Sequence, residues 1–216
     1  MTYLYGVKKS AHILHEDARH TTIKSASLGM IITSPPYGDS STTVAYGQFS
    51  KYPLLWLGYD LETVRKIDHV SMGGKASGNG SLTAVLKKSD TLNEVVTEVT
   101  AKDAQRGEIV TRFFRDLNDG LREMRRVLKD DRICIIIIGN RTARGVRVPT
   151  INITKELAEH GWTIDGKKKK FECLEIINRN IYQKRIPYVG APQGRTGKWE
   201  RCDLMMNEAI IVLKSR

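Results

Sequence analysis

The feature that most constrains the fold is an unbroken apolar run, ICIIII, at residues 133–138. Every member except the cysteine is β-branched, which favours a strand, and the lack of apolar–polar alternation predicts a central strand covered on both faces. Directly before it, apolar residues recur at helical spacing over residues 109–128, which predicts an amphipathic helix. A long helix that feeds such a strand is typical of an α/β protein.

Weaker signals extend this pattern in both directions. They predict strands at 11–15, 30–33 and 209–213, and a helix over 150–160 that ends at Gly161. Residues 41–107 fit this scheme only loosely, so we interpret them as an insertion in one domain that spans residues 1–216. The order of elements predicts an α/β fold with a mostly parallel sheet and helices on both faces.

Charge is distributed unevenly along the chain. The formal net charge is +11 for 216 residues, yet residues 1–100 contribute only +1 of it. Such a basic excess favours a polyanionic partner, and nucleic acid before a membrane surface. The basic surface is therefore expected mainly on the second half of the chain.

Cysteine usage and the amino-terminal sequence indicate the cellular compartment in which the protein is expected. The three cysteines are Cys134, Cys173 and Cys202, and no C-x-x-C pair occurs, so neither a disulfide framework nor a zinc site is expected. The first residues lack the apolar stretch of a signal peptide, and the longest apolar run is too short to cross a bilayer. We therefore expect a cytoplasmic protein without a membrane segment. The nearby His12, His15 and His20 are interpreted as ordinary strand-edge residues, with no metal site.

The strand predicted at 30–33 runs into a stiff corner, Ser34-Pro35-Pro36-Tyr37. The two prolines fix their own φ angles and donate no backbone hydrogen bonds. The corner therefore presents the Ser34 hydroxyl, the Pro35 carbonyl and the Tyr37 ring in a fixed arrangement. Ligands of open α/β sheets bind at the carboxyl ends of strands, so this corner is a candidate site.

The motif TSPPY after an apolar strand resembles the catalytic motif of the amino-group DNA methyltransferases, which use S-adenosylmethionine (SAM). Three further segments resemble that family: EDAR at 16–19, LREMRRVLKDDRICIIIIGN at 121–140, and NEAIIVLKS at 207–215. The last places Glu208 where members often carry an acidic residue. The resemblance implies a Rossmann-like methyltransferase fold and methyl transfer to an exocyclic amine.

The resemblance also implies roles for individual residues. Ser34, Pro35, Pro36 and Tyr37 would be catalytic, with Ser34 Oγ and the Pro35 carbonyl accepting hydrogen bonds from the target amine. Tyr37 would stack on a base flipped out of the duplex. Asp17 and Thr33 would bind SAM, although Asp17 could instead cap a helix.

The target base and the nucleic acid stay open at this point. A serine in the first position of the motif is associated in the family with cytosine-N4 methylation, and adenine N6 is the alternative. Cytosine-C5 chemistry is disfavoured because no cysteine neighbours a proline. Besides an enzyme of a restriction–modification system, the sequence is compatible with an RNA amino-methyltransferase and with a non-catalytic DNA-binding subunit.

Double-stranded DNA is the expected partner. The basic residues proposed to contact its phosphates are Arg141, Arg144 and Arg147 in one loop, with Arg195 and Lys198 nearer the end of the sequence.

One expected element is missing from the sequence. The family has a glycine-rich SAM loop of the form Phe-x-Gly-x-Gly after a strand, and no segment here matches it. We therefore expect a second polypeptide to supply that loop, or a homo-oligomer to form. The alternatives are a fragment or degenerate relative that binds DNA without catalysis, and a cofactor loop of a different form.

Overall fold

The computed structural model describes residues 11–38, 46–74, 81–180 and 207–216. The strands are β1 (Leu28–Thr33), β2 (Leu128–Gly139), β3 (Arg141–Ala143), β4 (Val146–Val148), β5 (Trp162–Ile164), β6 (Lys167–Lys169), β7 (Phe171–Asn180) and β8 (Asn207–Ser215). The helices are α1 (Tyr46–Trp56), α2 (Leu61–Val70), α3 (Leu82–Leu86), α4 (Asp90–Lys102), α5 (Ala104–Val127) and α6 (Thr150–His160). The predicted helices over 109–128 and 150–160 are confirmed, as are the strands at 30–33, 133–138 and 209–213. None of the described helices is long and apolar enough to cross a membrane.

The main sheet has the strand order β1-β2-β8-β7 and is mixed. β1 runs parallel to β2, whereas β8 lies antiparallel to both β2 and β7. The prediction of a mostly parallel sheet is therefore wrong. It rested on the continuous apolar run in β2, and that run does not specify the direction of the strand beside it.

The prediction of a strand at residues 11–15 is also wrong. These residues adopt no regular structure, and the Ile13 side chain is 97% exposed. No described strand pairs with the segment, so its apolar residues gain no burial. The following residues form a tight turn closed by pairing of Asp17 with His20 rather than a helix, which also removes the interpretation of Asp17 as a helix cap.

The hydrophobic core lies on one face of the main sheet. Cys134, Ile136 and Ile138 of β2 point into it together with alternate residues of β8, and all three are fully buried. On the helical side the core is filled from α5, chiefly by Phe113 and Phe114, whose rings pack edge to face with centroids 5.0 Å apart. This face fixes the register of the sheet because a slip of one residue would expose it.

The opposite face of the sheet, which we call the open face, is apolar but much less covered. Its β2 residues Ile133, Ile135 and Ile137 are only half-buried, and on β1 the side chains of Met30 and Ile32 are 55% and 64% exposed. Within the described parts of the chain, helices thus cover one face of the sheet and not both as predicted. β1 also has no described neighbour on its outer edge.

Helices α4 and α5 approach closely where they join. Asp103 follows α4 and caps α5, accepting a hydrogen bond from the Arg106 backbone N–H at 3.0 Å. A Cβ atom added to Gly107 would lie 2.0 Å from Thr100 Oγ1 and 3.0 Å from Thr100 Cβ. At Gly120, further along the same helix, an added Cβ would meet nothing within 4 Å.

The two glycines predict opposite effects of one substitution. Gly107→Ala should lower the free energy of unfolding by about 1–3 kcal/mol, because α4 has to move to admit the methyl group. Gly120→Ala should raise it by about 0.5–1 kcal/mol, because alanine is the better helix former. Urea unfolding followed by circular dichroism measures both, and an equal effect at the two positions would contradict the close approach of α4 to α5.

Candidate active site

The Ser34-Pro35-Pro36-Tyr37 corner leaves the carboxyl end of β1. Since Thr33 pairs with Ile136 in the parallel ladder, the corner lies at the sheet edge where β2 also ends. A cleft of about 980 Å³ opens beside it. The predicted site residues that line this cleft are Asp17, Thr33, Ser34, Pro35 and Pro36. The structure therefore brings the proposed cofactor residues and most of the proposed catalytic corner to one cavity.

Most of the cleft wall is apolar. Ile31 of β1, Leu117 and Val127 of α5, and Met72 contribute apolar side chains to it. The polar side chains that line it, Asp17 among them, contribute the smaller part of its surface. A largely apolar pocket with a few fixed polar groups suits a flat, partly polar ligand such as a nucleoside.

Asp17 is held by Arg19, two residues further on. The Arg19 guanidinium donates from Nε to Asp17 Oδ1 at 2.9 Å and from Nη2 to Oδ2 at 2.6 Å. It also donates to the Val70 carbonyl at 2.8 Å and lies 3.4 Å from the buried Asp116. The Arg19 hydrogen bonds hold the pKa of Asp17 below its ordinary value, so Asp17 is an ionised acceptor at neutral pH.

The segment that carries Asp17 is tied to α5 by Glu123. Its Oε1 accepts from the Thr21 backbone N–H at 2.9 Å and from the Thr21 hydroxyl at 2.6 Å. Arg126 binds the same carboxylate at 2.6 Å and donates to the Ile23 carbonyl at 2.7 Å. Hydrogen bonds from Arg126 and then from Thr21 lower the pKa of Glu123 to about 2. This side of the cleft is thus positioned by polar contacts.

Tyr37 packs against the edge of the core and reaches strand β8 with its hydroxyl. Its hydroxyl donates to Glu208 Oε1 at 2.5 Å, and the other oxygen of Glu208 accepts from the Arg179 guanidinium. Glu208 pairs across the ladders with Gly139 at the end of β2 and with Arg179 of β7. Burial, followed by the Glu208 hydrogen bond, raises the pKa of Tyr37 to about 12, so its phenol keeps its proton.

Three of the proposed phosphate contacts fall on a hairpin that directly follows β2. β3 and β4 are joined by Arg144 and Gly145, both with positive φ, which makes a tight two-residue turn. The Arg144 side chain is 63% exposed and donates to Asp103 Oδ2 at 2.8 Å, and Arg147 is exposed. Both remain candidates for phosphate contact.

Arg141 differs from its neighbours on the hairpin. It is only 6% exposed, and its guanidinium lies 5.3 Å from the centre of the Phe113 ring. A cation–π contact inside the fold explains this position better than a phosphate contact does. The burial of Arg141 therefore argues against the DNA-binding role that the sequence predicted for it.

Two of the predicted DNA contacts, Arg195 and Lys198, lie outside the described residues. Metal binding was not expected from the sequence. Among the residues that are described, no group of three or more His, Cys, Asp or Glu side chains is arranged to hold a metal ion.

The site also contains residues that sequence reasoning missed. Arg19, Glu123 and Arg179 were not assigned roles, and Glu208 was noted only through the family resemblance. Arg179 and Glu208 are 29 positions apart and meet only through strand pairing. An oppositely charged pair near two strand ends is the one signal that could have linked them.

Comparison with known proteins identifies a relative that spans most of this chain. The chain is 34% identical over 197 residues to the Type II methyltransferase M.MvaI of Kocuria varians, a match that covers 89% of this chain. Over this region the chain is similar to a Type II methyltransferase. The predicted resemblance to a methyltransferase is thereby confirmed, and the match spans 41% of the length of M.MvaI.

The remaining comparisons add little. No family model matches the chain. A solved structure from Thermus thermophilus, described as a DNA modification methylase, is 14% identical with a TM-score of 0.40. That alignment covers 92% of this chain and 50% of the other, and a likeness at this level supports no argument about the site.

The low pKa of Glu123 predicts a pH-dependent contribution to stability. A folded-state pKa of about 2 against an ordinary 4.5 means that the carboxylate stabilises the fold above pH 4.5 and loses this effect as the pH falls toward 2. Glu123→Gln should therefore lower the free energy of unfolding at pH 7, and the difference from wild type should shrink as the pH approaches 2.

Denaturant unfolding between pH 2 and 7 checks this. Glu62→Gln is the matched control, since Glu62 forms only an exposed ion pair with Lys66 and should contribute little. An effect of Glu123→Gln that is constant with pH would show that the charge of Glu123 does not anchor the segment.

Proposed function

We propose that this chain carries the target-base side of the active site in a SAM-dependent DNA methyltransferase. The enzyme would methylate an exocyclic base amine, with cytosine N4 favoured and adenine N6 as the alternative, within a restriction–modification system. The observation that carries the proposal is the shared cleft, which Asp17 and the Thr33–Pro36 stretch line together. Homology to a Type II methyltransferase supports it.

The corner suits the chemistry of an exocyclic amine. Such an amine is a poor nucleophile because its lone pair is delocalised into the base ring. Attack on a methyl group requires the nitrogen to become more tetrahedral, and acceptors aimed at its protons favour that geometry. Ser34 Oγ and the Pro35 carbonyl would be those acceptors, and the two prolines hold them in place before the reaction begins.

A flipped base is stabilised when it stacks on a side chain of the protein. Extrusion from the duplex costs a few kcal/mol. Stacking on an aromatic ring returns about 1–3 kcal/mol. Tyr37 is half-buried and its hydroxyl is fixed by Glu208, so the ring is held without further ordering.

The residues of the cleft fit a nucleoside-bearing cofactor. The apolar side chains of Ile31, Leu117 and Val127 would contact the faces of an adenine, and the ionised Asp17 would accept from its amine. Arg19 already directs three donors at the two Asp17 oxygens, namely its backbone N–H, Nε and Nη2, which leaves about one of their four lone-pair sites for that amine. SAM, when bound, would supply the methyl group as an electrophile.

The described cysteines do not suit the alternative chemistry at cytosine C5. Cys134 is buried in the core, where desolvation raises its pKa to about 12, so it stays a thiol. Burial also raises the pKa of Cys173. A C5 methyltransferase needs a thiolate nucleophile, so these two residues argue for amine methylation.

Substitutions at the corner test the proposal. Ser34→Ala should slow methyl transfer by roughly 10- to 150-fold, because one hydrogen bond to a centre that gains charge contributes about 1.5–3 kcal/mol. Tyr37→Ala should weaken capture of the flipped base by about 1–3 kcal/mol. Transfer of labelled methyl groups from SAM to duplex DNA, by the chain together with any polypeptide that it needs to bind SAM, measures both effects.

Thr83→Ala, at an exposed position of α3, is the control for this assay and should keep full activity. Wild-type activity of Ser34→Ala and Tyr37→Ala would refute the proposal. Methylation of structured RNA in preference to duplex DNA would instead identify an RNA amino-methyltransferase, and salt-sensitive DNA binding without methyl transfer a non-catalytic subunit.

We further propose that protein outside these 216 residues supplies the glycine-rich SAM loop, most simply as a second polypeptide. Three observations support this. The sequence lacks the loop, the match to M.MvaI spans 41% of that relative, and the open face exposes apolar side chains beside an edge of β1 that has no described partner strand. A strand added at that edge with covering helices would bury this surface.

Calorimetric titration with SAM tests whether SAM binding requires a second polypeptide. The chain alone should not bind SAM, whereas the chain mixed with a neighbouring methyltransferase-like polypeptide should. Ile32→Lys on the open face should weaken assembly about tenfold or more, because the interface would bury an unpaired charge. Ile13→Lys, at an exposed position outside the sheet, should have no effect. SAM binding by the chain alone would overturn this proposal.

A further inference from the structure

We propose that a second cavity along α5 binds a phosphate group, with Lys88, Arg122 and Lys168 as its cationic ligands. The cavity has a volume of about 570 Å³ and lies between α5, the end of α3 and the β5–β6 hairpin. It shares no lining residue with the cleft beside the Ser34–Tyr37 corner. Phosphate binding there would be separate from methyl transfer.

Lys88, which follows α3, is half-buried in this cavity. Its ammonium donates to Asn118 Oδ1 at 3.2 Å and lies 5.6 Å from the centre of the Trp162 ring. The Trp162 indole N–H donates to the same oxygen at 2.9 Å, so one amide group fixes both side chains. Because Asn118 and Trp162 are neutral, these contacts position the ammonium without neutralising its charge.

The charge of Lys88 has no tight counterion. Among the described residues that line the cavity, Asp119 is the only acidic one, and it forms no ion pair with Lys88. In a tight ion pair the pKa of the lysine would rise and that of the aspartate would fall. Here burial is the main cause of both shifts, lowering the pKa of Lys88 and raising that of Asp119. A bound anion would offset the free-energy cost of this partly buried charge.

Two further cations line the cavity. Arg122 and Lys168 are exposed, and neither forms an ion pair within the described parts of the chain. Lys168 pairs across the hairpin with Thr163, which also lines the cavity. Arg115 lines it too, but its charge is matched by Asp116 at 2.9 Å. Three cations that lack ion-pair partners therefore surround one carboxylate, and this excess suits a phosphate group.

The wall that carries these groups is fixed by packing. Trp162 is 6% exposed, and its ring packs edge to face on Phe171 with centroids 6.4 Å apart. A Cβ atom added to Gly161 would lie 2.6 Å from the Lys169 carbonyl oxygen, so the chain before Trp162 lies close against strand β6. A preformed wall reduces the entropy lost when a ligand binds.

A phosphate group reaches such a site from two sources. One is the backbone of a nucleic acid, and the other is a free phosphorylated small molecule. Both present the same charged oxygens to an ammonium or guanidinium group, so titration with each kind of probe has to distinguish them.

Proton–nitrogen NMR of the tryptophan indole groups measures binding on the 216-residue chain. The Trp162 signal, identified by its loss in Trp162→Phe, should shift when inorganic phosphate is added at constant ionic strength. The reason is that Lys88 and the indole N–H share one acceptor. Trp56 is 94% exposed on α1, and its signal serves as the internal reference that should not shift.

Substitutions locate the site. Lys88→Met keeps the apolar stem and removes the charge, so it should raise the Kd for phosphate about tenfold or more. Arg122→Ala and Lys168→Ala should each raise it about two- to fivefold, because exposed charges contribute less. Lys102→Met, which removes an exposed lysine paired with Glu98 on α4, is the matched control and should leave the Kd unchanged. Thermal unfolding of each variant confirms that the fold is kept.

A short DNA duplex and a nucleoside triphosphate are the further probes. Tighter binding of the duplex that is weakened in Lys88→Met would identify the nucleic-acid backbone as the source. Lys88-dependent binding of the free phosphates without a gain for the duplex would identify a small molecule. A Trp162 signal that shifts with none of the probes, or shifts equally in Lys88→Met, would overturn the proposal. All titrations omit SAM, so their outcome is independent of the proposed function.

Discussion

The site depends on one arrangement of strands, the insertion of β8 between β2 and β7. The two antiparallel registers place Glu208 opposite Gly139 on one side and Arg179 on the other. The same registers send Ala209, Ile211 and Leu213 into the core. A slip of one residue would therefore push the Glu208 charge toward the core and expose the apolar side chains. Core packing thus specifies the position of a carboxylate at the corner.

Much of the scaffold was predictable because its signal is local. The helical periodicity of α5, the apolar run of β2 and the glycine after α6 each depend on residues near in sequence. The Ser34–Tyr37 corner was predictable for the same reason, since two prolines after a strand limit the backbone by themselves. The homology to M.MvaI agrees with the family resemblance drawn from these segments.

The features that the sequence predicted wrongly or missed have a different cause. Each depends on residues that are distant in sequence. The direction of β8, the lack of a strand at 11–15 and the pairing of Arg179 with Glu208 are decided by register and neighbours. Arg141 shows the same effect, because its loop position suggested exposure and the ring of Phe113 gives it a buried contact. Sequence reasoning located the reactive corner but could not find the residues that hold it.

The position of β8 also bears on how the chain folds. β1 and β2 pair across about a hundred residues, and long-range pairing of this kind slows folding. β2 and β7 do not pair with each other and are joined only through β8, which follows both in sequence. During synthesis, α5 and α6 can form as each emerges. The four-stranded sheet cannot be completed until β8, the last of its strands in sequence, has been made. Until then β2 presents an unpaired apolar edge, the state in which such a chain is most prone to aggregate.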